Sequence, residues 1–423
     1  MPPRELTMPK LSDSMAEAII VRWLKSPGDA FARGEALIEV ETDKATVVYE
    51  AESDGVLESI LVGEGGAAHP GEPIATLADG AAAAAAPAAQ ARAPRTTAPA
   101  ATASTMDFRS AVREALDEAL AADERVILFG EDVAVAGGVF AATPGLYEKY
   151  GAERVFDTPI SELALAGAAF GSAVNGLRPV IEIMFGDFLP LVMDSVVNQM
   201  SKYWFLTGGE VSVPVVIRSV VGAGGRFGAI HSQMPASWFM GVPGVKIVAP
   251  AFPADAKALL RAAIDDDNPV LFFEHKRLYG LEGEVNGAPA RIGEAAIVRE
   301  GRHVTLVSAM RGVHECLAAA ERLAADGIDA EVVDLRTLRP LDGDTILASL
   351  EKTTRVVVVE EGPLTGGWGG EVLAVVAERG LGDVDDMWRI TTPDTPVPYS
   401  PPLEDAHLPG ADRIVAEVSR RLG

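Results

Sequence analysis

Apolar and polar positions follow two different periods along this chain, and the change of period divides it. Before residue 80 the apolar runs are short and cut by Gly, Pro and Asp, as at Ala18–Trp23, Ala36–Glu41, 45–49 and Gly55–Ile60. That spacing predicts a small all-β sandwich or barrel over residues 4–80. After residue 106 the pattern becomes apolar strand, then amphipathic helix, repeated. A helix at 108–121 precedes a strand at Val126–Gly130; then come a strand near Val155, a helix at 162–175, a strand at 180–184 and a helix near 190–206. Strands at 213–218 and Lys246–Val248, a helix at 254–265 and a strand at 270–274 complete the series. A second series holds strands at Val304–Ser308, Ala330–Asp334 and 355–360, a helix at 313–325, and a Gly-rich turn, 366–370, that opens another helix. Strands apolar throughout, alternating with helices, imply mostly parallel sheets covered on both faces. Two α/β domains are therefore expected, over 106–290 and 291–423.

Residues 81–105 are nearly all Ala, Pro and Thr. Such a segment buries too little apolar surface to fold. Its prolines keep it extended at about 3 Å per residue, so it reaches on the order of 70 Å. Pro87 cuts short the alanine helix that 81–86 could otherwise form. The segment reads as a disordered tether between the β domain and the α/β domains.

Charge narrows the choice of partners. Asp and Glu number 61 against 36 Lys and Arg, for a net charge of −25. That balance argues against nucleic acid and anionic membrane surfaces and favours a basic protein partner. The single cysteine, Cys316, allows no internal disulfide and fits a reducing compartment. No run of about 18 apolar residues marks a membrane span. MPPRELTMPK lacks an apolar signal core, so the cytoplasm is the expected location.

The stretch 155–179, VFDTPISELALAGAAFGSAVNGLRP, concentrates the candidate chemistry. Pro159 disfavours a helical conformation at Thr158, so the strand must turn there. Ser161 then falls at a helix N-cap and Glu162 in the first turn. Ala164, Gly167, Ala168 and Gly171 make a stripe of small side chains. Glycine costs about 1 kcal/mol inside a helix, so something is expected to approach this one closely. On composition alone, Glu162 is an acid complementing the helix dipole.

TPISE followed by a Gly/Ala helix ending in GLRP resembles the pyrimidine-binding domain of thiamine-diphosphate enzymes. More specifically, it resembles the β subunit of the decarboxylating component of 2-oxo-acid dehydrogenase complexes, over almost all of 106–423. In that family the glutamate matching Glu162 hydrogen-bonds a ring nitrogen of the cofactor's aminopyrimidine. A carboxyl sharing a proton there needs a raised pKa, which burial supplies; Leu163, Ala164 and Leu165 are the expected apolar pocket. By the same resemblance Glu131 lies close to the cofactor, linked to Glu162 through solvent, and Phe188 packs on the aminopyrimidine. Plainer readings are a surface-loop acid and a core aromatic. His231, in a Gly-rich loop with HSQ and then PGVKIVAP, matches a histidine at the site entrance that assists substrate binding and acyl transfer. An imidazole titrating near pH 6.5 suits that task. Ala263, Asp266 and Asn268 match a loop that binds potassium largely through carbonyl oxygens. DLRTLRPLD at 334–342 and TPDTPVPY at 392–399 match the transketolase C-terminal fold, which packs subunits and docks partners.

The GDG-and-Asn motif that marks the diphosphate's metal site is missing. The resemblance therefore implies an α subunit holding the diphosphate and Mg2+, in a heterotetramer. MPKLSDSM, Gly28-Asp29 and ETDKA resemble a lipoyl domain, which makes Lys44 the site of amide-linked lipoate. A biotin carrier usually has Met beside its lysine; here the neighbours are Asp43 and Ala45. Some bacterial pyruvate dehydrogenase β subunits carry such a fusion, which points to pyruvate as substrate and acetyl transfer to lipoyl-lysine. FFEHKRLYG also resembles acetoin and branched-chain 2-oxo-acid relatives. The dihydrolipoyl acyltransferase core is the expected further partner. The contrasting readings are a non-catalytic carrier and scaffold, and a transketolase-like enzyme with no lipoyl step.

Overall fold

The computed structural model describes residues 4–9, 17–32, 35–41, 46–51, 53, 55–78 and 104–422. The chain divides into two compact units, residues 1–97 and 98–423.

The first unit is the expected small β domain. One four-stranded sheet runs in the order Arg4–Thr7, Pro73–Ala78, Gly55–Ile60, Ala30–Phe31; the other runs Thr46–Glu50, Ala36–Glu41, Ala18–Trp23, Ala67–Ala68. Neighbouring strands are antiparallel. Ile20, Leu37, Ile38, Val40, Leu57 and Ile74 are buried in its core. The alternation of buried and exposed residues in Ala18–Trp23 is what a half-buried strand requires.

The second unit holds two sheets. The larger has seven strands in the order Val155–Asp157, Val126–Gly130, Arg178–Phe185, Val216–Val221, Val270–His275, Lys246–Val248, Thr337–Arg339. All pairs are parallel except the last, where Thr337–Arg339 crosses from the C-terminal half and runs antiparallel. The second sheet runs Ala296–Arg299, Ala330–Asp334, Val304–Ser308, Arg355–Pro363, Asp386–Thr392, with only its first pair antiparallel. Val126–Gly130 and Val270–His275 are buried along their whole length, as central strands covered on both faces must be.

Three expectations need correction. The helix near 190–206 is broken into a 3₁₀ segment, Gly186–Val192, a π-type turn, Ser195–Met200, and a short α-helix, Ser201–Leu206. Pro190 lies inside the first piece and offers no amide to a helical ladder. The strand at 213–218 starts only at Val216, because Pro214 cannot donate within a sheet. Ser104 and Thr105, placed in the tether by composition, belong to a strand, Ser104–Asp107, paired with Glu282–Val285. The rest of the tether and Lys44 lie outside the described residues.

A charged cluster fixes the centre of the large sheet. Arg218 holds Glu274 through two bonds of 2.7 and 2.9 Å and Glu182 through one of 2.8 Å. The Tyr279 hydroxyl donates to Glu274 at 2.8 Å. All four side chains are buried. Two carboxylates face one guanidinium, and burial raises the pKa of Glu182, opposed by Arg218 and helped by the charge of Glu274. The cluster ties three adjacent strands together, beneath the edge where the candidate site lies.

Candidate active site

Four neighbouring parallel strands end at one edge. Gly130 stands opposite Asp157 on one side and Glu182 on the other, and Phe185 pairs with Val220. Glu131, the turn from Thr158 to Glu162, Phe188 and the His231 loop all leave from the carboxyl ends of these strands. Ligands of open parallel sheets bind there. The register thus gathers Glu131 with Glu162, and Phe188 with His231.

Glu162 opens the helix Glu162–Val174, as expected, and is half-buried. Ser161 occupies the N-cap position, but its side chain makes no capping bond. Leu165, Ala166, Ala169 and Ala173 are the buried face of this helix. Helical geometry therefore turns Leu163, Ala164, Gly167 and Ala168 outward. Leu163 is 57% exposed and lines no cavity at this end of the helix, whereas Ala164 and Leu165 do. A Cβ placed on Gly167 or Gly171 would meet nothing within 4 Å. Among the described residues, nothing makes the close approach read from these glycines.

Glu131 has a raised pKa. Burial raises it most, the charge of Glu162 next and Asp132 after that, against the Ser161 amide. Its Oε1 is buried and has no hydrogen-bond partner among the described residues. At the start of the Glu162 helix lies a cavity of about 260 Å³ lined by the stacked rings of Phe129 and Phe156, with Thr158, Ala164, Leu165 and Ala168.

Phe188 meets Phe185 edge-on at 5.8 Å and His231 at 5.5 Å, and His231 lies 4.4 Å from Phe185. Several neighbours were not foreseen. Asp187 accepts the backbone and side-chain amides of Gln233 at 3.2 and 3.0 Å. Lys276 donates to the His231 carbonyl. Burial lowers the Lys276 pKa to about 8, although Asp187, Glu361 and Glu404 favour its charged form. His275 Nδ1 accepts the Arg277 amide at 3.1 Å, so Nε2 carries the proton donated to Glu361 at 2.9 Å. Gly222 stands against that ring: a Cβ there would come within 2.2 Å of it. Glu361 and Glu404 are 86 or more residues away from the groups they meet, and the only local signal for this set was the EHK run at 274–276.

The loop matched to potassium meets two of the chain's own cations. Asp266 pairs with Lys246 and accepts two bonds from Asn268, at 2.9 and 3.1 Å. Arg178 takes the Ile264 and Asp266 carbonyls at 2.8 and 2.7 Å, and the Ala263 carbonyl accepts the Asp266 amide at 3.3 Å. An ammonium thus stands on the Asp266 carboxylate and a guanidinium on the Asp266 carbonyl.

Three family models match. Residues 104–282 match the transketolase pyrimidine-binding domain, 293–414 the transketolase C-terminal domain, and 4–77 the biotin-requiring enzyme model. A solved split-gene transketolase, an inactive β4 tetramer, has the same fold, with a TM-score of 0.64 at 23% identity over 75% of this chain and 98% of that one. Fold and site thus define a transketolase-class α/β chain with an appended carrier domain. Pyruvate dehydrogenase E1 component subunit beta of Rhizobium meliloti is 38% identical over 98% of each chain. The acetoin:2,6-dichlorophenolindophenol oxidoreductase subunit beta of Cupriavidus necator is 45% identical over 76% of this chain and 98% of its own. The 2-oxoisovalerate dehydrogenase subunit beta of Bacillus subtilis is 42% identical over 74% and 97%. The chain belongs to this family, the E1 β subunits of 2-oxo-acid dehydrogenases and their acetoin-oxidising relatives.

Proposed function

We propose that this chain is the β subunit of the thiamine-diphosphate-dependent component that decarboxylates pyruvate and passes the acetyl group to a lipoyl group on Lys44. The full-length match carries this reading: a pyruvate dehydrogenase relative aligns over 98% of both chains, carrier domain included. The site fits an aminopyrimidine. Glu131 offers a buried, unpartnered carboxyl oxygen with a raised pKa beside Glu162, and Phe185 and Phe188 offer an aromatic wall. Bound there, thiamine diphosphate supplies the nucleophile and the electron sink for loss of carbon dioxide.

The chain's own residues then have separate tasks. Glu162 would hydrogen-bond the edge of the pyrimidine ring, with Glu131, whose pKa burial raises, close by. Phe185 and Phe188 exclude water from that face. His231 orients the 2-oxo acid and gives a proton to the departing lipoyl thiolate. An α subunit holds the diphosphate and Mg2+ in a heterotetramer, and the exposed Ile160, Leu163 and glycine face is the surface offered to it. The acyltransferase core takes the acetyl group onward. The buried Cys316 suits a cytoplasmic setting.

A second reading, an acetoin-oxidising β subunit, is favoured by the higher identity of 45%, over the 76% of this chain that excludes the carrier domain. Co-expression with the α subunit and comparison of kcat/KM for pyruvate, 3-methyl-2-oxobutanoate and acetoin decides between them. An intact-mass measurement of the Lys44 peptide goes with it. Preference for pyruvate with a lipoyl increment on Lys44 is the expected result. Turnover of acetoin alone favours the second reading. No turnover with any substrate and an unmodified Lys44 would sink both.

A further inference from the structure

The loop that carries His231 is pinned from the C-terminal half of the chain. It follows the strand Val216–Val221, and its first amides leave the sheet with no ladder partner. Ala223 donates to Glu361 at 2.6 Å, Gly224 donates to Glu404 at 2.8 Å, and the Arg226 amide reaches the same Glu404 oxygen at 3.4 Å. The other Glu404 oxygen takes the Arg226 guanidinium at 2.6 Å. That guanidinium also reaches Asp405 at 2.8 Å and the Pro401 carbonyl at 3.0 Å. Arg226 holds this position with a left-handed backbone, φ +65°. Gly228, one turn on, lies against Tyr399 of the C-terminal half.

Glu404 is wholly buried on the helix Pro401–His407. A buried carboxylate is costly unless donors surround it. Among the described residues, its donors come from the His231 loop. The far end of the loop is fixed from below, where Lys276 sits between the rings of Phe185 and Phe227, 5.6 and 5.2 Å from their centres, and donates to the His231 carbonyl. Between loop and C-terminal elements lies a cavity of about 700 Å³, lined by Ala229, Ser232 and Gln233 on one side and Pro396, Val397 and Leu408 on the other. The released loop would have room to move into it.

We propose that Glu404 is a positioning residue: the C-terminal domain sets the place of His231 by gathering the Gly224 amide, the Arg226 amide and the Arg226 guanidinium on one buried carboxylate. This rests on the reading of His231 as a substrate-facing group. Its structural part can be tested without activity.

The test is chymotryptic cleavage after Phe227 in the full chain, with cleavage after Phe205 as the control; Phe205 is 80% exposed and lies on a different element, the helix Ser201–Leu206. Glu404→Gln keeps the shape and removes the charge. It is expected to speed the Phe227 cut about tenfold and leave the Phe205 cut unchanged, since only a local opening becomes easier. In the complex with the α subunit, kcat falls with KM little changed, and Glu404→Asp recovers part of both readouts. Arg226→Gln reads the same latch from the loop side should Glu404→Gln fail to fold. An unchanged Phe227 cut with unchanged kcat overturns the proposal. So does equal acceleration at both sites in both variants, which would assign the pair to global stability. A faster Phe227 cut in a protein whose wild type turns over no 2-oxo acid keeps the latch and sinks the functional reading.

Discussion

Glu162 stands opposite Glu131, and after burial its charge is the largest contributor to the raised pKa of Glu131. Glu131 directly follows the strand Val126–Gly130, and Glu162 opens the helix reached by the turn after Val155–Asp157, the parallel neighbour of that strand. Two carboxyl groups that repel each other hold a proton between them more readily than either does alone.

Removing either acid should therefore have unequal effects. Glu162→Gln, in the complex with the α subunit, is expected to lower 2-oxo-acid turnover by about 100-fold or more, the scale of a lost acid–base group. Glu131→Gln is expected to lower it by roughly tenfold, because it acts through its neighbour. Carbon dioxide release with an artificial electron acceptor measures both. Equal activity of Glu162→Gln and wild type would remove the acid from the mechanism.

Asp334 gives a pH prediction. It is fully buried, and burial, then the charge of Asp255, pushes its pKa up to about 8, against the Arg336 amide and guanidinium. An unfolded aspartate releases its proton near pH 4. From pH 4 to about 8 the folded chain thus holds a proton that the unfolded chain has lost, and stability falls as pH rises. Asp334→Asn stays neutral and can still accept the Arg336 amide. Its Tm is expected to match wild type at pH 4 and to exceed it by a growing margin up to pH 8. A constant difference across that range would contradict the linkage.

The Arg218 cluster predicts a stability loss. Arg218→Leu leaves Glu182 and Glu274 buried and facing each other without a cation. Breaking a buried pair in this way costs about 3–5 kcal/mol. Urea unfolding of the full chain should show that loss in the transition of the 98–423 unit. A change below about 1 kcal/mol would mean that the cluster relaxes into water, since an exposed pair is worth no more.

The cation-paired loop at Asp266 predicts indifference to potassium. Replacing KCl by choline chloride at constant ionic strength should leave the Tm of the wild-type chain unchanged. Lys246→Ala frees the Asp266 carboxylate, and a Tm rise with KCl is expected in that variant alone. A rise in the wild type would show that the ion displaces Lys246.

Much of this was legible from local pattern. Val126–Gly130, Lys246–Val248, Val304–Ser308 and Ala330–Asp334 have the bounds that their apolar runs imply, because a run of residues buried on both faces is a local signal. The start of the helix at Glu162 was readable because Pro159 and the residues after it dictate a turn and then a helix. The break at Pro190 was readable in principle, yet the apolar period around it outweighed one proline. The outward turn of Leu163 followed from helical phase, which places a residue only once the buried face is known.

By itself the sequence determined the bounds of several buried strands, that Glu162 heads a helix, and that His231 sits in a glycine-rich loop, since backbone preference and apolar period act over a few residues. Only the tertiary structure decided that burial raises the pKa of Glu131, that Lys246 and Arg178 pair with the Asp266 loop, and that Glu404 accepts from the His231 loop. Each of these depends on which strands and helices become neighbours. A buried charge takes its energy from whatever groups the fold brings within a few ångströms, at any distance along the chain.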